Sequence, residues 1–267
     1  MLFNSFEFAV FLPIVFLLYW FVFDHALRRC KHQLLPQNLF IVVVSYIFYG
    51  WWNWRFLILI AITTICSYLS GLLIAHSFAE NKCEEPYSYG GGGKSSHAIR
   101  KIFYNPRLWL WLNILLNLAI LGTYKYYDFF VRSFAELFGL QADNLLLHLI
   151  LPVGISFYTF QALSYSIDVY RRQIQPTQDL VAFTAFLSFF PQLVAGPIER
   201  ATNLLPQFLQ KRRFDYAQAV DGMRQILWGL FKKIVVADNC ATYVDTVFAD
   251  YTTYSGSTLW CRRWFRI

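Results

Sequence analysis

The stretch RFLILIAITTICSYLSGLLIAH, residues 55–76, decides the fold of this chain. After Arg55 it contains no aspartate, glutamate, lysine or further arginine. A helix of about 20 apolar residues crosses a hydrocarbon layer roughly 30 Å thick. The stretch therefore predicts a transmembrane helix.

Similar apolar runs recur on both sides of this stretch. They predict further helices at residues 6–23, 38–50, 107–124 and 145–167, and an amphipathic helix at 216–237. Only 15% of the residues are charged and 57% are hydrophobic, whereas a soluble domain carries about 25% charged residues. Because so little polar surface remains, the sequence predicts an all-α, polytopic transmembrane helical bundle.

The formal net charge of +7 comes from basic residues gathered between the apolar runs. The strongly basic loops are residues 24–37, 77–106 and 168–179, which fall on one side if the first five helices all span. Lysine and arginine accumulate in cytoplasmic loops, so we expect these loops in the cytoplasm and the amino terminus outside. Basic charge without a recognition motif does not indicate nucleic-acid binding.

The first apolar run also lacks the basic start and cleavage pattern of a signal peptide.

The alternation of spans fails after residue 179. A spanning helix at 180–197 would export the charged loop at 199–213, and Pro191, Gly196 and Pro197 interrupt that run. Broken backbone is tolerated at membrane depth only where protein or water satisfies it. We therefore expect a re-entrant or broken segment near 189–200.

Common catalytic and metal-binding signatures are absent from the sequence. The five cysteines are scattered and form no CxxC pair, and no HExxH pair or GxSxG motif occurs. Because these motifs are absent, the sequence gives no indication of a metal site or of zinc or serine-hydrolase chemistry.

Two polar stretches inside apolar surroundings are the candidate functional regions. The first is LPVGISFYTFQ, residues 151–161, and the second is FFPQLVAGPIER, residues 189–200. Polar groups within spans usually face protein or water rather than lipid. The structural alternatives are interhelical hydrogen bonding with a kink for the first stretch, and a structural re-entrant loop for the second.

Histidines are the natural general bases for acyl transfer near neutral pH. His25, His32, His76 and His97 lie in or beside the basic loops, which favours solvated roles. His148 stands at the edge of a span, and we favour a structural or interfacial role for it because no partner is visible.

Five separated motifs resemble the alginate O-acetylation branch of the membrane-bound O-acyltransferases. They lie at residues 1–20, 151–170, 189–200, 232–239 and 254–256, so the resemblance covers residues 1–257. It implies a multi-pass bacterial inner-membrane protein that moves acetyl or similar acyl groups from a cytoplasmic donor to hydroxyls of an exported polysaccharide such as alginate. Acetyl-CoA or another acyl thioester is the implied donor, with no bound cofactor. The implied partners are membrane lipid, the polysaccharide acceptor and periplasmic or membrane acyltransferase proteins.

The resemblance stops before the family's catalytic histidine. Residues 258–267 are expected to form an aberrant or truncated tail, and the isolated chain is expected to be inactive, so no catalytic residue is assigned. What the family implies here is a central tunnel, for which Gln161, Gln192, Glu199 and Arg200 are the candidate lining residues. We expect Glu199 and Arg200 to pair or to lie at the tunnel mouth, because an unpaired buried charge is costly.

Two other functions compete with this interpretation. A transporter-like protein would explain the broken segment, but it predicts an internal repeat, and none joins residues 1–130 to 131–267. A non-catalytic membrane scaffold is the other alternative.

Overall fold

The computed structural model describes residues 5–23, 34–83, 105–138, 146–193, 196 and 199–249. These residues form helices and connecting turns, and contain no β-strand, as the sequence predicts. The helices are α1 (Phe6–Leu17), α2 (Leu34–Gly50), α3 (Arg55–Cys83), α4 (Pro106–Leu121), α5 (Tyr127–Phe138), α6 (Ile155–Tyr170), α7 (Leu180–Ser188), α8 (Phe190–Leu193), α9 (Ala201–Leu209), α10 (Tyr216–Phe231) and α11 (Asp238–Ala249).

Three π-helical segments extend these helices without a break. Leu18–Phe23 continues α1, Gly122–Tyr126 joins α4 to α5, and Lys232–Ala237 joins α10 to α11. The first predicted helix, at 6–23, is thus confirmed over its whole length. The amphipathic helix predicted at 216–237 is also present, and it runs on to residue 249.

Two continuous helices, Arg55–Glu80 and Pro106–Phe138, are long and apolar enough to cross a membrane. Shorter apolar helices occupy Phe6–Val22, Leu34–Gly50 and Leu180–Leu193. The 29 residues of α3 measure about 43 Å at 1.5 Å per residue, which exceeds the hydrocarbon thickness.

The exposed and buried faces of α3 differ from those of a helix in a soluble protein. On α3 the outward stripe is apolar, with Ile58, Ile62 and Leu69 all more than 40% exposed. The inward face carries hydroxyl groups, and Thr63 and Ser67 are 0% exposed. Lipid is the solvent that permits this arrangement, since buried polar groups find partners between helices while apolar side chains meet the hydrocarbon.

A buried polar cluster joins α3, α4 and α6. Ser67 Oγ donates to Asn113 Oδ1 at 3.1 Å, and Asn113 Nδ2 donates to Ser166 Oγ at 2.7 Å. Asn117 Nδ2, one turn further along α4, donates to Asn113 Oδ1 at 2.9 Å. The Tyr165 ring of α6 also packs directly against the α3 backbone, since a Cβ built on Gly71 would lie 2.6 Å from that ring. These contacts fix the three helices as one packed group.

Several predicted boundaries need correction. The helix predicted at 145–167 begins only at Ile155, because Gly154 has φ +77° and Pro152 precedes it, and it continues to Tyr170. Residues 146–154 are non-helical. The helix predicted at 38–50 begins four residues earlier, at Leu34, and the third helix runs to Cys83, into the predicted polar loop at 77–106. The fourth runs on through residue 138, beyond its predicted end at residue 124.

The contacts divide the chain into two compact units. The first comprises residues 15–212, and the second comprises residues 2–14 and 213–267. In the first unit α6 and α7 are the most buried helices, whereas in the second no residue of α10 is buried. The predicted division at residue 257 stays a prediction, because the tail and the motif at 254–256 lie outside the described residues.

Candidate functional site

The broken segment predicted near 189–200 follows α7, and three of its described residues, Phe190, Gln192 and Leu193, are buried. Helix α7 ends at Ser188, Phe189 leaves helical geometry with ψ 105°, and α8 starts at Phe190. Pro191 explains the interruption, because a continuous helix would set its ring against the carbonyl of Leu187 and give it no N–H to donate. The break is confirmed, and Pro191 itself is exposed.

Helix α7 runs antiparallel to α6, and three contacts mark the alignment. The rings of Phe183 and Tyr165 lie 4.6 Å apart, Gln161 Nε2 donates to the carbonyl of Phe186 at 2.9 Å, and Gly154 faces Leu193. The two polar stretches singled out in the sequence therefore meet in space.

Gln161 satisfies a backbone group that the helix break leaves open. The carbonyls in the last turn of α7 have no intrahelical partner, and the Gln161 amide binds the one at Phe186 while it is only 1% exposed. The interhelical hydrogen bond expected as the structural alternative is thus present. The expected kink is not, because Pro152 and Gly154 precede the helix.

The approach at Gly154 is close enough to require glycine. A Cβ at this position would lie 2.7 Å from the Leu193 carbonyl oxygen, and φ +77° belongs to the left-handed region that glycine adopts without strain. Gly154 therefore fixes the spacing between the start of α6 and the end of α8.

The chain then returns along α2. The Phe190 amide donates to Ser45 Oγ at 3.3 Å, whereas the Asn38 side chain donates to the Phe208 carbonyl at 2.9 Å. Ser45 and Asn38 are about 10 Å apart along the helix axis at 1.5 Å per residue. Residues 180–209, which we call the buried hairpin, thus turn back toward the start of α2.

Gln192 lies inside the turn of the buried hairpin and is 7% exposed. Its carbonyl accepts from the Gly196 amide at 2.9 Å, and a Cβ on Gly196 would lie 2.8 Å from the Gln192 Cα. Glu199 is half-buried and Arg200 is exposed. No ion pair joins them in the part of the chain that the structure describes, and their position at a tunnel mouth stays a prediction.

The structure gives no histidine a catalytic setting among the described residues. His148 is exposed in the non-helical segment before α6, with φ +46°, and His76 is exposed on α3. His25, His32 and His97 lie outside the described residues. Within those same ranges, no three histidine, cysteine, aspartate or glutamate side chains are grouped to hold a metal ion.

Sequence reasoning missed two sets of polar residues that the fold brings together. One is the cluster around Asn113, which the spacing of two asparagines four residues apart in an apolar helix could have revealed. The other is the pair Tyr49 and Tyr158, whose buried hydroxyls lack a hydrogen-bond partner within the described residues. They lie on different helices, so only the fold could group them.

An apolar groove of about 670 Å³ runs along the continuous helix Pro106–Phe138. Its walls come from one face of that helix, from Ala119 to Phe138, and include Tyr126, Phe130 and Phe134. None of the four candidate tunnel residues lines it.

Known proteins match the chain over most of its length. It is 37% identical over 216 residues to a probable alginate O-acetylase of Pseudomonas aeruginosa and to one of Pseudomonas putida, with 80% of the chain aligned. It is 32% identical to a peptidoglycan O-acetyltransferase of Helicobacter pylori, with 97% of the chain aligned. The chain spans 37%, 40% and 49% of the lengths of these relatives, respectively. No family model and no solved structure matches it.

Proposed function

Because this chain belongs to the membrane-bound O-acyltransferases, we propose that it forms part of an enzyme that transfers acetyl groups to the hydroxyls of a polysaccharide. The observation that carries the proposal is the 32–37% identity to named O-acetyltransferases over at least 80% of the chain. The relatives act on two different polymers by name, alginate and peptidoglycan, so the acceptor class is a polymer of sugar hydroxyls. The donor is an acyl thioester such as acetyl-CoA, reached from the cytoplasm.

The buried hairpin supports this function through its chemistry. Acyl transfer across a bilayer requires polar backbone and amide groups within a protein shell, since lipid cannot satisfy them. The hairpin supplies such a group at Gln192, and the facing helix α6 supplies another at Gln161, both packed inside the first unit. We propose that these two residues shape the wall of the acyl path, with Glu199 and Arg200 at its mouth.

The same reasoning gives the placement in the cell. We propose a multi-pass position in a bacterial inner membrane, with the basic segments facing the cytoplasm. Periplasmic or membrane acyltransferase proteins would carry the acyl group onward from the complete enzyme.

A chimera tests the proposal directly. The matched segment of the Pseudomonas aeruginosa relative is replaced by the corresponding residues of this chain, and acetate released from the exported polymer by mild alkali is measured. We expect acetylation to persist in the chimera and to fall when Gln192→Ala is added. A chimera that reaches the membrane at the parent's level and keeps the parent's melting temperature, but acetylates nothing, would overturn the proposal.

A further inference from the structure

Arg212 is held in a fixed orientation just after α9. Its guanidinium lies over two aromatic rings, 5.6 Å from the Tyr19 centroid and 5.4 Å from the Phe208 centroid. Its Nη2 donates to Asn38 Oδ1. The rings of Tyr19 and Phe208 and the amide of Asn38, which lie on three different elements, therefore hold the planar guanidinium of Arg212 in one orientation.

The charge of Arg212 has no carboxylate partner within the described residues. A guanidinium offers five N–H donors, and the structure pairs one of them, at Asn38, with a protein acceptor. The Nε atom is buried and has no acceptor. Burial also lowers the pKa of the Arg212 guanidinium, with Tyr19 acting in the opposite direction. A buried donor and charge left in this state are costly.

The protein compensates this charge only in part. Asn38 binds the Phe208 carbonyl at the end of α9, where the helix dipole is negative and favours a cation. That interaction supplies no acceptor for Nε. Lys211 and Arg213, both exposed beside Arg212, add further positive field, which attracts anions rather than neutralising the buried charge.

We propose that Arg212, with Asn38, Tyr19 and Phe208, forms a binding site for a phosphate group. The fork geometry of arginine matches two oxygens of a phosphate at once, and Nε is one of the donors left for it. Asn38 stands near the start of α2, just after the basic stretch at residues 24–37, where a bilayer surface presents phosphate groups. The phosphate belongs either to an anionic phospholipid headgroup or to a soluble phosphate ester such as the acyl donor.

The test uses the purified 267-residue chain in a neutral detergent. Inorganic phosphate is titrated at constant ionic strength, and the melting temperature is followed for the wild type, Arg212→Gln, Arg212→Lys and the control Arg213→Gln. We expect phosphate to stabilise the wild type and Arg213→Gln. We expect binding roughly 10- to 100-fold weaker in Arg212→Gln, the loss typical of charge-assisted hydrogen bonds, and an intermediate loss in Arg212→Lys, which keeps the charge but not the fork.

Two further arms distinguish the sources of the phosphate. The chain is placed in phosphatidylcholine nanodiscs with and without phosphatidylglycerol, and separately in detergent with coenzyme A. A stabilisation by phosphatidylglycerol that Arg212→Lys weakens and Arg212→Gln abolishes identifies a lipid, and one by coenzyme A with the same dependence on the two variants identifies a soluble phosphate ester.

The proposal fails if phosphate leaves the wild-type melting temperature unchanged, or if Arg213→Gln weakens binding as much as Arg212→Gln does. If Arg212→Gln does not fold, the phosphate response of Arg212→Lys decides between a binding role and a structural role for Arg212. A folded Arg212→Lys protein with an undiminished phosphate response would show that Arg212 has a structural role alone.

Discussion

Two residues hold the buried hairpin against α6. Gly154 permits the approach of the Leu193 carbonyl, and Gln161 binds the Phe186 carbonyl. Gln161 binds a carbonyl that the helix break leaves without an intrahelical partner, and Gly154 leaves room for the Leu193 carbonyl, which explains how an interrupted helix persists in an apolar interior. Each residue therefore has a measurable share in the stability of the first unit.

Gly154→Ala should destabilise the protein. The new Cβ would meet the Leu193 carbonyl at 2.7 Å, and a non-glycine residue at φ +77° is strained, which together should cost about 1–3 kcal/mol. The melting temperature in detergent measures the effect. Gly222→Ala is the matched control, because nothing lies within 4 Å of a Cβ at that helical position. An equal loss in both variants would contradict the assignment.

Gln161→Ala should destabilise the first unit by about 1–3 kcal/mol, since it leaves the buried Phe186 carbonyl without a partner. Gln207→Ala provides the comparison, because Gln207 makes the same kind of bond, to the Asn203 carbonyl, at an exposed position. Denaturant unfolding of the two variants in mixed micelles should show a small loss for Gln207→Ala. A reversed order would refute the role given to Gln161.

At the scale of helices, sequence reasoning located the apolar runs but misplaced their ends. The helix predicted at 145–167 illustrates the reason: apolar residues 145–154 have the composition of a span, and only the positive φ at Gly154 shows where the helix starts. The break at 189–200 was predictable, because Pro191 and Gly196 are local signals. The pairing of Asn113 with Ser67 and Ser166 was not, since it depends on which helices become neighbours.

The cluster around Asn113 should contribute cooperatively to the packing of α3, α4 and α6. A double-mutant cycle with Asn113→Ala and Ser166→Ala should give a coupling energy of about 0.5–2 kcal/mol, the range for hydrogen bonds between membrane helices. Unfolding monitored by tryptophan fluorescence in bicelles provides the free energies. Strict additivity of the two substitutions would mean that the 2.7 Å contact contributes nothing.

At the scale of the whole molecule, the apolar exposed faces and the buried polar groups indicate that lipid surrounds the protein. The buried hairpin determines the topology after residue 179. Its two ends lie toward the same side of the first unit, because Phe208 returns to Asn38 at the start of α2. This resolves the failure of simple alternation in the sequence. The basic residues at 211–213 can thereby share the side of the other basic segments.

Cysteine labelling should reveal this arrangement. In a background in which all five cysteines are replaced by serine, Gln173→Cys and Lys211→Cys should react with a membrane-impermeant maleimide from one side of the bilayer. Trp52→Cys should react from the other side. All three positions are exposed. Labelling of positions 173 and 211 from opposite sides would show that the hairpin spans the bilayer instead.

The buried hairpin also dictates an order of biogenesis. Its partners α2, α3 and α6 all leave the ribosome before it does, and its contact between Asn38 and Phe208 joins residues 170 positions apart. A segment whose backbone is interrupted and whose polar groups bind α2 and α6 gains little from partitioning into the bilayer before those helices are in place. We therefore expect the hairpin to enter the site formed by α2, α3 and α6 after those helices have inserted into the membrane, as the last step in the maturation of the first unit.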